Sequence, residues 1–216
     1  MICVEIIKLR PYSMFGTNSY IIHDGERAAL IDAPGNNAEA EKALADNGLR
    51  PEKILLTHGH CDHITGLAGM VSDTGAEVFI HEADKSKLSD AYYNLTEYFG
   101  LPAILKPDGK ITAVNDGDEI MLGDIVIKVM HTPGHTRGSV MYIAEDVIFS
   151  GDTIFCGSIG RTDMPDGDMA AMEKSLKKVA AFVGGHSDYR ILAGHGGETT
   201  LNREKSTNPY MLYGQY

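Results

Sequence analysis

Residues 54–63 read Ile-Leu-Leu-Thr-His-Gly-His-Cys-Asp-His, an apolar run followed by three histidines and an aspartate within six positions. The apolar run predicts a buried strand that ends where the histidines begin. Imidazole nitrogens and carboxylate oxygens are suitable ligands for zinc, iron or manganese, and Zn–N bonds are about 2.0 Å long. Because such short bonds require several donor side chains on one compact loop, we interpret this loop as the main part of a metal site.

Three further apolar runs also lead into a histidine or an aspartate. They are residues 129–130 before His131 and His135, residues 147–150 before Asp152, and residues 191–193 before His195. Loops that leave the strand ends of an α/β sheet converge on one edge, where sites are usually built. We therefore expect five histidines and two aspartates to meet there, a number that suits two metals: His58, His60, Asp62, His63, His135, Asp152 and His195.

The composition is that of an ordinary globular protein, with 216 residues, 43% hydrophobic and 23% charged, which predicts a single domain over residues 1–216. The net charge of −11 disfavours binding to a nucleic-acid backbone. Three scattered cysteines, the lack of a secretory leader and the lack of a long apolar run lead us to expect a cytoplasmic protein that does not bind membranes.

Short strands alternate with helical patterns along the chain, which favours a layered α/β architecture. Helices are expected from Asn36 or Asn37 to Asp46, from Ile64 to about Ser72, and from Asp168 to Val183, with a helical start to the tail and a break at Asn208-Pro209. Strands are expected at residues 4–9, 20–23, 28–32, 53–57, 77–80, 119–122, 125–130, 140–144, 147–150 and 190–193.

The aromatic segment and the cysteines give further structural predictions. The segment from Ala91 to Gly100 contains four aromatic residues without a clean period, so it is either a short helix that buries its rings or a wall over a substrate cleft. Cys3 and Cys156 are expected in the core, and Cys61 is expected to be a small filler within the metal motif.

The motifs together resemble the metallo-β-lactamase superfamily. They are residues 57–63, Gly134-His135, Gly151-Asp152-Thr153 and Gly194-His195-Gly196. The closer resemblance is to its glyoxalase II-like (hydroxyacylglutathione hydrolase-like) branch, and it rests on Gly160-Arg161-Thr162-Asp163, Glu204-Lys205 and Asn208-Pro209. The resemblance implies a four-layer αββα sandwich of the α/β class, with the site at one edge of two packed sheets.

The same resemblance implies a role for each candidate site residue. His58, His60 and His135 would bind one metal, Asp62, His63 and His195 would bind a second, and Asp152 would bridge both. Asp62 and Asp152 are the candidate catalytic carboxylates. The expected cofactors are two divalent metal ions, with zinc preferred over iron or manganese.

Three further residues have two interpretations each. Arg161 resembles a substrate-binding basic residue, or else it forms an ion pair with Asp163 or Asp166. Lys205 resembles a substrate-binding tail lysine, or else it is a solvated helix residue. Asp32 resembles an aspartate that supports the metal loop, or else it forms the turn before the following Pro-Gly pair.

The expected function is hydrolysis of a small-molecule thioester by two metals, with a hydroxide shared between them as the nucleophile. The sequence has no Gly-x-Ser-x-Gly motif that would supply a serine nucleophile. Class B1 β-lactamases carry cysteine where this chain has Asp152, so that activity is not expected. Two alternatives share the motifs: a persulfide dioxygenase that uses a single iron, and a lactonase.

Overall fold

The computed structural model describes residues 4–9, 13, 15–35 and 37–213. One mixed sheet contains six neighbouring strands, in the order β1 (Glu5–Leu9), β2 (Ser19–His23), β3 (Ala28–Ile31), β4 (Pro51–Leu55), β5 (Glu77–His81) and β6 (Ile111–Val114). The second sheet has the order β14 (Thr199–Thr200), β13 (Arg190–Ala193), β10 (Val147–Gly151), β9 (Val140–Ala144), β8 (Ile125–His131) and β7 (Glu119–Leu122). A short hairpin joins β11 (Ile154–Phe155) to β12 (Ser158–Ile159).

The helices lie on the outer faces of the sheets. They are α1 (Ala38–Asp46), α2 (Cys61–Ile64), α3 (Leu67–Thr74), α4 (Met169–Ala181), α5 (Leu201–Thr207) and α6 (Pro209–Tyr213), with a 3₁₀ helix over Glu82–Leu88. Within the described part of the chain, no helix combines the length and the apolar character needed to cross a bilayer.

Alternating side chains build the layers, because successive residues of a strand point to opposite faces of its sheet. In β3, Leu30 packs toward the helices of the first sheet, whereas Ile31 packs between the two sheets. In β9, Tyr142 packs between the sheets and Met141 packs toward the helices of the second sheet. The chain thus forms the four layers α, β, β and α that the resemblance implied.

Parallel pairing of neighbouring strands brings the loops that carry the candidate residues to one edge of the sheets. In the first sheet, Ile31 is paired with Leu55, so the residues after β3 and β4 leave the sheet side by side. In the second sheet, Gly151 is paired with Ala193 in the same parallel sense. The carboxyl ends of parallel strands form the edge at which sites are built in such sheets.

Two tyrosine hydroxyls join the sheets beside this edge. Tyr142 donates a hydrogen bond to the Leu56 carbonyl oxygen (2.9 Å), and Tyr20 donates one to the Ala193 carbonyl oxygen (2.8 Å). Burial raises the pKa of both phenols, so both remain protonated donors. The acceptors directly precede the histidine-rich loop and the His195 loop, so these bonds fix the two loops relative to each other.

The expected helix from Ile64 to Ser72 is instead two helices, α2 and α3, separated at Thr65 and Gly66. The backbone at Gly66 approaches the Gly35 carbonyl so closely that a Cβ there would lie 2.6 Å from its oxygen. Asn37 precedes α1 but makes no side-chain cap, because its amide donates to the Gly66 carbonyl oxygen at 2.9 Å. Asn36 lies outside the described residues.

The aromatic segment from Ala91 to Gly100 is a series of turns, so the expectation of a helix that buries its rings is wrong. Tyr92 and Tyr98 remain 55% and 66% exposed. Cys156 is also not a core residue: it is exposed in the turn between β11 and β12. Cys3 lies outside the described residues.

The tail forms the expected helical start followed by a break. Helix α5 ends at Thr207, and Asn208 separates it from α6. Proline at the first position of α6 suits a helix start, since that position needs no amide hydrogen.

We expect Phe149→Ala to lower the free energy of unfolding by about 3–5 kcal/mol, because it removes a fully buried ring between the sheets. Urea unfolding of the metal-free protein measures this change. Met121→Ala, at a side chain 51% exposed, is the control and should cost less than about 0.5 kcal/mol. Equal losses in the two variants would contradict the assigned intersheet layer.

Candidate metal centre

The structure brings all seven candidate donor side chains together. Three overlapping groups each hold ligand atoms that lie within 4.8 Å of one another. The groups are His58 with His60 and His135, His58 with His63 and Asp152, and Asp62 with His63 and His195. The first and the last of these three are the groups that the resemblance assigned to separate metals, and we term them the first group and the second group.

The first group presents imidazole nitrogens to a common point. His60 Nδ1 and His135 Nε2 lie 2.9 Å apart. His135 Nδ1 donates to the Arg161 carbonyl oxygen at 2.7 Å, and since a carbonyl can only accept, the lone pair of His135 is on Nε2. Burial lowers the pKa of His58 and His60 well below the usual value, so both are neutral and able to bind a metal.

The second group, formed by Asp62, His63 and His195, combines two imidazoles with a carboxylate. Asp62 Oδ2 lies 3.2 Å from His195 Nε2 and 3.5 Å from His63 Nε2. The Oγ1 atom of Thr17 donates to the same Asp62 oxygen at 2.9 Å. His63 Nδ1 faces a carboxylate oxygen of Asp32 at 2.8 Å, which leaves Nε2 directed at the centre.

Asp152 lies between the two groups. Its Oδ2 atom is 3.5 Å from His135 Nε2 and 3.3 Å from His195 Nε2, and its Oδ1 atom is 3.4 Å from His63 Nε2. A Cβ at Gly194 would lie 2.3 Å from Asp152 Oδ1, so only glycine leaves room for the carboxylate in this position. One carboxylate therefore reaches both halves of the cluster.

The charges of the cluster favour a cation. Burial alone would raise the pKa of both carboxyls, but His63 and His195 hold that of Asp152 well below its usual range and that of Asp62 at about 2. Although burial opposes it, hydrogen bonds to Asp152 and Asp62 raise the pKa of His195 to about 9. The site therefore stabilises positive charge, which a divalent metal can supply in place of protons.

Buried polar atoms without partners are a second observation that fits a pair of metal ions. Three buried donor atoms in the cluster have no hydrogen-bond partner: His58 Nε2, His63 Nε2 and Asp152 Oδ1. Buried polar atoms of this kind are costly unless they are satisfied. A mixed set of imidazole and carboxylate donors suits zinc, iron or manganese.

Asp32 supports the histidine-rich loop from the end of β3. Besides facing His63, its carboxylate accepts hydrogen bonds from both the backbone amide and the hydroxyl of Thr57, each at 2.8 Å. Asp32 has a φ of 56°, a left-handed conformation that aspartate and asparagine adopt more readily than most residues. Its contacts with Thr57 and His63 support the interpretation of Asp32 as a residue that holds the metal loop.

A cavity of about 500 Å³ opens over the cluster. His60, Asp62, His135, Asp152 and His195 line its floor, and the walls are formed by Phe15, Leu95, Phe99, Phe155, Ser158, Ile159, Gly160, Arg161 and Met164. The presence of Leu95 and Phe99 supports the interpretation of the aromatic segment as a wall over a cleft. The rings of Phe15 and Phe99 also contact each other, with centroids 4.8 Å apart.

The two basic residues expected to bind substrate differ in position. Arg161 lines the cavity and also forms a two-pronged ion pair with Asp163 at 2.7 and 2.9 Å, so both of its interpretations describe part of its environment. Asp166 pairs with Lys87 instead. Lys205 is not among the described residues that line the cavity, and its Nζ atom donates to the Phe182 carbonyl oxygen at 3.1 Å. The structure therefore does not support Lys205 as a substrate contact.

The contribution of Glu204 and Asn208 was missed from the sequence. Glu204 is fully buried and accepts hydrogen bonds from the Gly157 amide at 2.9 Å and from the side chain of Asn208 at 2.8 Å. Asn208 also donates to the Ser158 carbonyl oxygen at 3.0 Å. The two residues hold the β11–β12 hairpin, and the four-residue spacing between Glu204 on α5 and Asn208 at its end was the available signal.

Comparison with known families matches residues 13–195 to the family model of the metallo-beta-lactamase superfamily. A Haemophilus influenzae protein named hydroxyacylglutathione hydrolase GloC is 32% identical over 210 residues, which cover 95% of this chain and 97% of that protein.

Two solved structures share the fold over nearly their whole length. The BLEG-1 B3 metallo-beta-lactamase is 30% identical with a TM-score of 0.86, over 96% of this chain and 99% of that one. TTHA1623, solved in a di-iron-bound form, is 32% identical with a TM-score of 0.81, over 96% of this chain and 100% of that one.

We expect Asp32→Asn to weaken metal binding by about 10–100-fold, the usual effect of removing the partner that orients a metal-binding imidazole. Asparagine tolerates the left-handed backbone, so the change tests the carboxylate alone. Equilibrium dialysis against Zn²⁺, followed by elemental analysis, measures the effect. Asp24→Asn, at an exposed carboxylate in the β2–β3 turn, is the control, and an equal loss there would count against the role of Asp32.

Proposed function

Because the chain belongs to the metallo-β-lactamase superfamily, we propose that it is a binuclear metal hydrolase that acts on a small thioester. The observation that carries this proposal is the position of Asp152, whose carboxylate lies within 3.5 Å of donor nitrogens in both halves of the cluster. The 32% identity to a hydroxyacylglutathione hydrolase, over nearly the full length of both chains, supports the choice of reaction.

In this proposal, His58, His60 and His135 would hold one ion, Asp62, His63 and His195 would hold the other, and Asp152 would serve both. The ions, when bound, lower the pKa of a water from about 15.7 toward 7 and stabilise negative charge on a carbonyl oxygen. Zinc is preferred because it tolerates a thiolate as well as imidazole and carboxylate ligands. The di-iron form of TTHA1623 makes iron the main alternative.

The other residues of the cavity position the substrate and exclude water. Leu95, Phe99 and Met164 give the cavity an apolar wall above the donor groups, which strengthens electrostatic interactions at the reacting carbonyl. Arg161 at the same cavity can bind a carboxylate of the thiol carrier through its guanidinium. Asp62, ionised because its pKa is about 2, can accept a hydrogen bond from the attacking water.

We also propose that the protein is located in the cytoplasm. Cys61 and Cys156 are free thiols, which is compatible with a reducing cytoplasm. We propose that the partner is a small molecule.

Metal content and reaction products distinguish the thioesterase from a mononuclear iron dioxygenase. We expect purified protein to retain two divalent ions per chain, to release thiol from acyl thioesters and to consume no oxygen. Elemental analysis, a thiol-reactive dye and an oxygen electrode measure these three quantities on the same sample.

One iron per chain with oxygen uptake on a persulfide would overturn the proposal in favour of the dioxygenase. Cleavage of lactones with no release of thiol from thioesters would favour the lactonase. Removal of the metals with a chelator should abolish thiol release, and its return on addition of Zn²⁺ would show that the loss was not caused by unfolding.

We expect Asp152→Ala to reduce both thioester turnover and retained metal by more than about 100-fold, beyond the usual effect of losing a supporting contact. The matched variant is Cys61→Ala, which lies next to Asp62 but packs in a small apolar cluster with Leu95 and Met164. It should retain both metals and cost only about 1–2 kcal/mol of stability. Equal effects on turnover would show that the ligand set is wrong.

A further inference from the structure

Asp84 connects the two loops that carry the first group of donor histidines. It lies in the 3₁₀ helix and is fully buried. Its Oδ2 atom accepts a hydrogen bond from the Gly59 amide at 2.9 Å and another from the Thr136 hydroxyl at 2.8 Å. Its Oδ1 atom accepts from the Gly138 amide at 2.9 Å.

Two of these three donors lie directly beside the proposed ligands, and Gly138 lies on the same loop as His135. Gly59 separates His58 from His60, and Thr136 follows His135. A carboxylate that accepts hydrogen bonds from both loops sets the distance between them, and charge-assisted bonds of this kind are stronger than neutral ones. The Asp84 carboxylate therefore determines how closely the three imidazoles of this group approach one another.

A buried lysine lies between this carboxylate and that of Asp166 and extends the network. Lys87 Nζ lies 3.5 Å from Asp84 Oδ1 and 2.5 Å from Asp166 Oδ2, and all three side chains are at most 3% exposed. Asp166 follows Arg161 and Met164, which line the cavity. Removing one member of a buried ion pair is costly, so the network resists displacement of the loops it joins.

We propose that Asp84 is the positioning residue for the metal ion held by His58, His60 and His135. The inference rests on the proposed metal centre but not on the identity of the substrate. None of the hydrogen bonds recorded for Asp84 within the described ranges reaches Asp62, His63 or His195. Those residues belong to the half of the cluster supported by Asp32 through His63. Asp84 thus contacts only loops that carry the first group, whereas Asp32 contacts His63 and also Thr57, the residue before His58.

The test measures Co²⁺ binding in two backgrounds, each of which leaves one half of the centre intact. The His195→Ala variant keeps all three donors of the first group, and the His135→Ala variant keeps all three donors of the second group. Adding Asp84→Asn should lower the Co²⁺ affinity of His195→Ala by about 10–100-fold, the usual effect of losing a supporting partner. The same change should alter the affinity of His135→Ala by less than about twofold, as for independent sites.

Chelator-competition titration followed by the visible absorption of bound Co²⁺ gives both affinities without any activity assay. The spectrum of Asp84→Asn in the otherwise native chain, at one equivalent of Co²⁺, should match that of His135→Ala. Asp90→Asn is the matched control, since Asp90 is a half-buried carboxylate that accepts two backbone amide hydrogen bonds in the neighbouring segment. It should leave both affinities unchanged.

Equal losses of affinity in the two backgrounds would overturn the proposal, because they would show that Asp84 supports the fold in general. An unchanged affinity in His195→Ala would overturn it as well. If circular dichroism shows that Asp84→Asn does not fold, Thr136→Val replaces it, since this change removes one of the three donors without altering the buried charge. It should produce a smaller loss with the same dependence on background. A failure of thioester hydrolysis with this pattern intact would refute the proposed substrate and leave the role of Asp84 standing.

Discussion

The convergence of donor atoms from four separate loops is the constraint on which the rest of this structure depends. Ligand atoms within 4.8 Å of one another must come from both sheets, so the sheets must be fixed relative to each other to within a fraction of an ångström. The tyrosine hydroxyls of Tyr20 and Tyr142 provide this connection beside the loops, where each spans the intersheet layer to a backbone carbonyl. The apolar alternation along the strands supplies the stability that holds this arrangement.

The site itself works against that stability. Ionised carboxylates, unsatisfied imidazole nitrogens and a left-handed aspartate are each unfavourable in a buried position. They persist because buried hydrogen bonds over-determine the loops: Asp32 holds Thr57 and His63, and Asp84 holds Gly59, Thr136 and Gly138. Local costs of this kind are typical of functional sites, where an otherwise consistent fold offsets them.

Local patterns predicted most of the strands and the donor residues, as in the apolar run of β9 or the close spacing of residues 57–63. The four layers were implied by the family resemblance alone. Prediction from the sequence failed where tertiary contacts decide the structure. Cys156 follows an apolar pair, yet the turn of the β11–β12 hairpin exposes it. The break at Gly66 depends on the Gly35 carbonyl, and the position of Lys205 depends on how α5 packs. None of these contacts is visible in a short window of residues.

The hydrogen bonds from α5 to the β11–β12 hairpin have a consequence for how such proteins diverge. Glu204 and Asn208 act on Gly157 and Ser158, while Phe155, Ser158 and Ile159 form one side of the cavity. A change in the packing of α5 would therefore reshape the entrance while every metal donor kept its place. Proteins with an identical set of donor residues can in this way come to accept different molecules through substitutions near the carboxyl terminus.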